Sequence, residues 1–319
     1  NEVCNLLLIF THRILFNKSS FNFYRNKIES IFTKTIIKDT IMKNTIVSVK
    51  WLHKNLNNPD LVILDASQTK TINNTTSNFQ GLQIKNARFF DLKNSFSRKD
   101  TELPNMLPNP QEFEEECRKL GINKSSKIVV YDNLGVYTSP RVWWLFKTMG
   151  HNNIAVLNGG LPAWHKEGFE LEPFAKDTYN LGDFEATFHP ELVKDIEAIK
   201  TNLKTKTAIV IDARSEGRFN GTAPDPRPDL KSGHIPNSIN LPYSEVLENG
   251  KFKSEKKLTE IFKTLKLDNN PLIFTCGSGI TACIIMLACE LVSKNPKAVY
   301  DGSWTEWASA KDAPIHTKT

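Results

Sequence analysis

The stretch with the clearest chemical capacity is "PLIFTCGSGITACIIMLACELV", residues 271–292. An apolar, β-branched run, Leu272 to Thr275, leads straight into Cys276. Gly277 and Gly279 follow within three residues, and Thr281 then opens a long apolar helical pattern. Glycines accept backbone angles closed to other residues, so a loop of this composition can curl with its N–H groups pointing inward. Its centre then lies at the N-terminus of the next helix, where unpaired amides and the helix dipole favour negative charge. A thiolate is the reactive form of cysteine, and such a position favours it. Cys276 is therefore the candidate nucleophile, and the same cradle would hold a persulfide anion. The bland alternative is a buried cysteine at a strand end; the two glycines and the strand–loop–helix order speak against it.

A cysteine phosphatase would use a similar loop but needs an arginine six positions after the nucleophile to grip phosphate bidentately. Here that position is Ala282.

The elements that must present this loop can be read from repetition. "LVILDAS" (61–67) returns as "AIVIDARS" (208–215), "IKNARFFDL" (84–92) as "IPNSINLPY" (235–243), "KIVVYDNLGV" (127–136) as "PLIFTCGSGI" (271–280), and "NIAVLNGGLPAW" (153–164) as "KAVYDGSWTEW" (297–307). The order is the same in both halves, as in a duplicated domain. Short buried strands alternate with helical stretches such as "FEEECRKLG" (113–121) and "KKLTEIFKTL" (256–265), which predicts an α/β fold with two parallel sheets flanked by helices. The expected organisation is an extension at 1–41, a domain at 43–168, a linker at 169–190 and a second domain at 191–310. The polar segment 69–78 ("TKTINNTTSN") reads as a tolerated surface insertion.

With 319 residues, 39% hydrophobic and 24% charged, the composition is that of a globular protein. Leu6 to Phe10, the longest early apolar run, is far short of the roughly 20 residues a bilayer needs. The net charge of +6 is mild, and no basic stripe with interleaved aromatics suggests nucleic acid. The five cysteines, Cys4, Cys117, Cys276, Cys283 and Cys289, are odd in number and form no C-x-x-C pair. They predict neither a disulfide framework nor a metal site and fit a reducing compartment. Cys283 and Cys289 read as small hydrophobes of an apolar helix, a Cys276–Cys283 regulatory disulfide being the alternative, and Trp164, Trp304 and Trp307 as core residues. Residues 1–41 are basic and acid-poor and precede Met42, so a targeting segment, an upstream start and an extra helix compete there.

"CGSGITAC", with "DGSWTEW" downstream and "DARSEGRFNGTAPDPRPDLKSGHIPNSINLPY" upstream, resembles the 3-mercaptopyruvate sulfurtransferases of the rhodanese superfamily over about residues 43–310. The resemblance implies tandem rhodanese domains with the working loop only in the second. It implies that Cys276 takes sulfur from a small anionic donor, forms a persulfide, releases pyruvate and passes the sulfur to a thiol acceptor such as thioredoxin, or to cyanide. No cofactor is implied. Asp132 stands at the first-half equivalent of Cys276, and a carboxylate cannot carry sulfane sulfur.

The resemblance also assigns roles. In isolation Arg218 in "GRFNG" and Arg227 in "DPRPD" read as solvated arginines; both match the family's substrate-binding positions, and a guanidinium pairs a carboxylate bidentately. Ser278 can hydrogen-bond the donor ketone or relay a proton, while Gly277, Gly279, Ile280 and Thr281 complete the donor-binding loop. Thiosulfate-preferring relatives carry basic residues where this chain has Gly277 and Ser278, so mercaptopyruvate is the expected donor. A thiosulfate sulfurtransferase and a non-catalytic rhodanese-like binding module are the alternatives. Gln83 departs from the family, which often carries a histidine there to assist the serine. His234 and Arg214 read as structural. The expected location is the cytoplasm, or the mitochondrion if residues 1–41 are a targeting segment.

Overall fold

Apolar, β-branched runs of four or five residues form the centre of each half. The computed structural model describes residues 44–318; the 1–41 extension lies outside the described residues. The first half contributes β1 (Ile46–Val47), β2 (Leu61–Asp65), β3 (Leu82–Gln83), β4 (Arg88–Phe89), β5 (Lys127–Tyr131), β6 (Ile154–Leu157) and β7 (Glu172–Pro173). The second contributes β8 (Val193–Lys194), β9 (Ile209–Asp212), β10 (Ile239–Asn240), β11 (Leu247–Glu248), β12 (Lys251–Phe252), β13 (Leu272–Thr275) and β14 (Lys297–Tyr300). One parallel sheet runs β1-β6-β5-β2-β4 and the other β8-β14-β13-β9-β10. Read strand against strand, the two orders are the same, so the repeats in the sequence are repeats of the fold. β13 is buried throughout and β5 nearly so, as parallel strands covered on both faces must be.

Helices α1 (Val49–Asn55), α2 (Pro110–Lys119), α3 (Ser139–Thr148) and α4 (Gly160–Lys166) belong to the first half. Helices α5 (Ile196–Thr205), α6 (Glu216–Asn220), α7 (Glu255–Thr264), α8 (Ile280–Glu290) and α9 (Ser303–Ser309) belong to the second. Local chemistry sets their starts. Asn109 caps α2 by accepting from the Glu112 N–H, with Pro110 at the first helical position, and Asp195 caps α5 in the same way. Nine of the eleven residues of α8 are buried, which explains its apolar character on every face. It packs on α3, and Val142, Leu145 and Phe146 share one core with Ile284, Ile285 and Leu287. The helices that follow the two equivalent loops thus form the seam between the halves.

The expected linker is not a free tether. β7 pairs antiparallel with β3, Phe184 is buried in the core, and the Phe184 and Thr187 N–H groups donate to Ile122 and Met149 carbonyls. The 69–78 segment is a loop, but not a mere surface insertion: Thr69 to Asn73 line the lip of the cleft described below.

Asp65 and Asp212 end the equivalent strands β2 and β9, yet their surroundings differ. Asp212 has Arg214 at 2.7 Å, whereas the residue two positions beyond Asp65 is Ser67, which offers its backbone N–H at 2.8 Å. Burial, opposed by the Ser67 bonds, pushes the Asp65 carboxyl up to about 6. The folded chain then holds a proton that the unfolded chain has released between about pH 4 and 6. The stability this group contributes is full below its unfolded pKa and lost as pH rises through about 6. Asp65→Asn is expected to gain about 2–3 kcal/mol of unfolding free energy near pH 8 relative to its effect near pH 4, measured by urea titration at both.

Candidate active site

Cys276 directly follows β13, and the four-residue loop Cys276–Gly279 runs into α8. Gly279 has φ 78°, in the left-handed region, and caps the helix without a side chain. Its Cα faces Arg141, whose Nη1 would lie 2.9 Å from any added Cβ, so the turn and the close approach both require glycine. The loop is anchored from α9: the Trp304 N–H donates to the Cys276 carbonyl at 2.9 Å, and the Thr305 N–H and hydroxyl donate to the Gly277 carbonyl at 3.0 and 2.6 Å. Ser303 Oγ accepts from the Cys276 N–H at 3.3 Å. These bonds explain why "DGSWTEW" accompanies the loop in sequence.

What this strand–loop–helix geometry can hold is visible in the first half. Asp132 follows β5 as Cys276 follows β13, and its buried carboxylate gathers the donors of its own turn. Leu134 N–H reaches one oxygen at 3.0 Å; the N–H groups of Tyr137, Thr138 and Ser139 reach the other at 2.8, 3.1 and 3.0 Å, with the Ser139 hydroxyl at 2.7 Å. The turn and the first residue of α3 enclose a negative charge. The equivalent loop, Cys276 to Thr281, contains no carboxylate.

Arg218, on α6, and Arg227, in the loop after it, converge on Gly277. A Cβ at this position would meet Arg227 Nη2 at 2.8 Å and Arg218 Nη2 at 3.2 Å. A side chain at position 277 would displace both guanidinium groups. Asp225, which the sequence reading missed, organises the pair. Its Oδ2 accepts from Arg218 Nη2 at 2.5 Å, and its Oδ1 accepts from the Arg227 N–H at 3.0 Å and Nε at 3.1 Å. Burial works against the Asp225 charge, but the Arg227 N–H and the two guanidinium groups hold its carboxyl below the usual range. Arg227 also donates to Thr305 Oγ1 and to the Gly277 carbonyl. One carboxylate facing two arginines leaves net positive charge beside the loop.

A cleft of about 960 Å³ joins these groups. Cys276, Gly277, Ser278, Ile280, Thr281, Arg218 and Arg227 line it from the second half, with Asn105, Tyr137 and Asp65 from the first. Gly279 is turned against Arg141 and is absent from the lining. Gln83 is buried elsewhere, donating to Glu172 Oε1 at 2.9 Å and accepting from the Ala175 N–H. Ser278 instead meets Asn105, whose Nδ2 lies 3.1 Å from Ser278 Oγ. Arg141, also missed in sequence, is fully buried, pairs with Asp301 at 2.7 Å and donates to the Gly279 carbonyl at 3.4 Å.

The residues expected to be structural are tied into the fold. Arg214 pairs with Asp212, donates to the Gly233 carbonyl and lies over Trp304. His234 Nδ1 meets the Phe219 carbonyl at 2.8 Å, and its ring stacks on Phe219. The Cys283 thiol donates to the Gly279 carbonyl, and burial pushes it up to about 12. Among the described residues no group of His, Cys, Asp and Glu has the arrangement of a metal site, and no helix is long and apolar enough to cross a membrane.

The family model for the rhodanese-like domain matches twice, at residues 48–167 and 195–310. The chain belongs to the rhodanese family. It is a tandem rhodanese: each match holds four of the five strands of one of the two like-ordered sheets, and the second holds the cysteine loop. Thiosulfate/3-mercaptopyruvate sulfurtransferase 1 of Arabidopsis thaliana is 38% identical over 297 residues, covering 85% of this chain and 78% of the relative. Thiosulfate sulfurtransferase of Rattus norvegicus is 39% identical over 292 residues, covering 87% and 96%. Among solved structures, the 3-mercaptopyruvate sulfotransferase SseA of Escherichia coli superposes with a TM-score of 0.72 at 31% identity, covering 82% of this rhodanese and 99% of SseA. Relatives named for either donor are thus similar to this chain to much the same degree.

Proposed function

We propose that this tandem rhodanese is a 3-mercaptopyruvate sulfurtransferase working through a persulfide on Cys276. The observation that carries this reading is the packing of the Arg218 and Arg227 guanidinium groups against a side-chain-free Gly277. A 2-oxo acid brings a carboxylate and a ketone, and the arginine pair with the Ser278 hydroxyl offers donors for both. The Cys276 thiolate attacks the donor sulfur, the carbon–sulfur bond breaks, and its electron pair moves into the ketone as the pyruvate enolate. The enolate takes a proton at carbon and leaves as pyruvate, with the loop amides and arginines facing the charge as it develops. A thiol acceptor such as thioredoxin, or cyanide, then attacks the outer sulfur and frees the Cys276 thiolate. The first domain has Asp132 where the second has Cys276 and serves as one wall of the cleft. The sparse cysteines fit a reducing compartment and a cytoplasmic location.

Intact-mass measurement after exposure to each donor tests the reading. The chain is expected to gain one sulfur atom from either donor, and to do so at lower concentrations of mercaptopyruvate than of thiosulfate. Arg227→Ala is expected to raise the mercaptopyruvate concentration needed by about 10- to 100-fold, the scale of a lost charge-assisted pairing. A preference for thiosulfate would make the chain a thiosulfate sulfurtransferase. No uptake from either would make it a binding module.

A further inference from the structure

The cleft is larger than its donor needs. At about 960 Å³ it lies near the top of the range for drug-sized ligands, about 300–1,000 Å³, whereas mercaptopyruvate is a three-carbon acid. Much of the remaining lining comes from the first half, and it is apolar where it meets solvent. Among the described residues six large hydrophobic side chains are exposed, and three of them, Ile72, Leu82 and Phe174, line this one cleft. A single exposed hydrophobe needs no explanation; three at one mouth mark a contact surface. Phe89 extends the patch, edge-on to Phe174 with ring centroids 5.4 Å apart.

The backbone holds this patch in place. Leu82 pairs antiparallel with Pro173, and the Phe174 N–H donates to the Gly81 carbonyl at 2.8 Å. Ile72 sits in a turn closed on itself: the Thr71 N–H donates to the Thr75 carbonyl, and the Thr75 N–H to Thr71 Oγ1. Ser77 Oγ donates to the Asn133 carbonyl and Asn133 Nδ2 to the Gln68 carbonyl, so both ends of the loop are tied to the turn after β5. The polar 69–78 segment is thus an ordered shelf carrying one large apolar side chain, Ile72.

Charge adds a second character. Lys70 and Lys93 are exposed on the same cleft. Of the two acids in the lining, Asp65 is buried and Asp91 accepts from the Asn94 N–H and amide. With Arg218 and Arg227 also in the lining, the mouth carries more positive than negative charge.

We propose that this lip is the docking surface for a protein sulfur acceptor: a small protein whose reactive thiol stands in an apolar patch bordered by acidic side chains. The proposal rests on Cys276 carrying the persulfide. Cys276 is 1% exposed, so a thiol on a globular surface reaches it only if the two surfaces seat around the mouth. The partner's apolar patch covers Ile72, Leu82 and Phe174, and its acids face Lys70 and Lys93. The acceptor thiol attacks the outer sulfur, the sulfur–sulfur bond breaks, and its electron pair stays on Cys276 as the thiolate. The acceptor leaves as a persulfide, its proton having moved to the transferred sulfur. Cyanide or a small thiol reaches the same sulfur without touching the lip.

Reduced thioredoxin serves as the protein probe, with cyanide and 2-mercaptoethanol as small acceptors, each added to chain loaded with mercaptopyruvate. The double variant Ile72→Gln, Phe174→Gln is expected to raise KM for thioredoxin about 10-fold or more with kcat little changed. Its loading, its transfer to both small acceptors and its unfolding midpoint are expected to match the unaltered protein, since both side chains are exposed. Transfer to thioredoxin is expected to slow as salt is raised, and Lys70→Gln with Lys93→Gln to flatten that dependence. A thioredoxin KM within about 2-fold of the unaltered value in the apolar double variant, or equal slowing with all three acceptors, overturns the proposal. So does an unaltered protein that passes sulfur to cyanide but not to thioredoxin. Failure of the unaltered protein to take up sulfur from any donor instead overturns the sulfurtransferase reading, and this proposal with it.

Discussion

Cys276→Ser is expected to abolish sulfur transfer from every donor, with turnover falling by about 10⁴-fold or more, the scale seen when a covalent nucleophile is removed. The change is nearly isosteric. Serine fits the buried site, keeps the Trp304 bond to the backbone carbonyl and leaves the arginine pair in place. The fold is therefore expected to be intact, with an unchanged unfolding midpoint. What is lost is chemistry. A hydroxyl is a weak nucleophile near neutral pH, and it cannot carry sulfane sulfur as a stable persulfide does. Steady-state thiocyanate or pyruvate release checks the rate. A residual activity within about 10-fold of the unaltered protein would mean that another group accepts the sulfur.

The second large effect is on stability and comes from the seam between the halves. Arg141 and Asp301 are both almost wholly buried, 2.7 Å apart. Removing one partner from such a pair strands the other charge in a low-dielectric interior. Asp301→Asn keeps the shape and is expected to lower the unfolding free energy by about 3–5 kcal/mol, measured by urea titration. Arg141→Met is expected to cost a similar amount, and it also removes the bonds to Asn105 and Gly279. The double variant is expected to cost about 2 kcal/mol less than the sum, because the second change relieves the charge that the first left unpaired. Simple additivity would show that the pair does not act as a unit. Sulfur loading should slow in both single variants, since the same arginine holds the end of the cysteine loop.

The sequence made some of this legible and hid the rest for physical reasons. The strand, cysteine loop and apolar helix at 272–290 are contiguous, so composition and spacing alone described them. The common strand order of the two sheets followed from repeated strand sequences. The side chains that reach the cysteine loop from the first half did not show. Asn105 and Arg141 reach Ser278 and Gly279 across 173 and 138 positions of sequence, and nothing local distinguishes an asparagine in "LPNMLP" from any loop asparagine. Its positive φ is a property of the folded turn. Asp225 carried a fainter signal: an acid two residues before Arg227 can bond that residue's N–H, as it does. The segment 69–78 looked like an insertion because its residues are polar; only the fold brings it to the cleft.

Residence of the sulfur on Cys276, in the loop whose first-half copy encloses the Asp132 carboxylate, can be read by peptide mapping after loading with mercaptopyruvate and no acceptor, under conditions that preserve persulfides. One extra sulfur is expected on the peptide holding Cys276, with one pyruvate released per chain and loss of that sulfur when a thiol acceptor is added. Extra sulfur on Cys117, Cys283 or Cys289 with Cys276 unmodified, or pyruvate release with no sulfur on the protein, would contradict it.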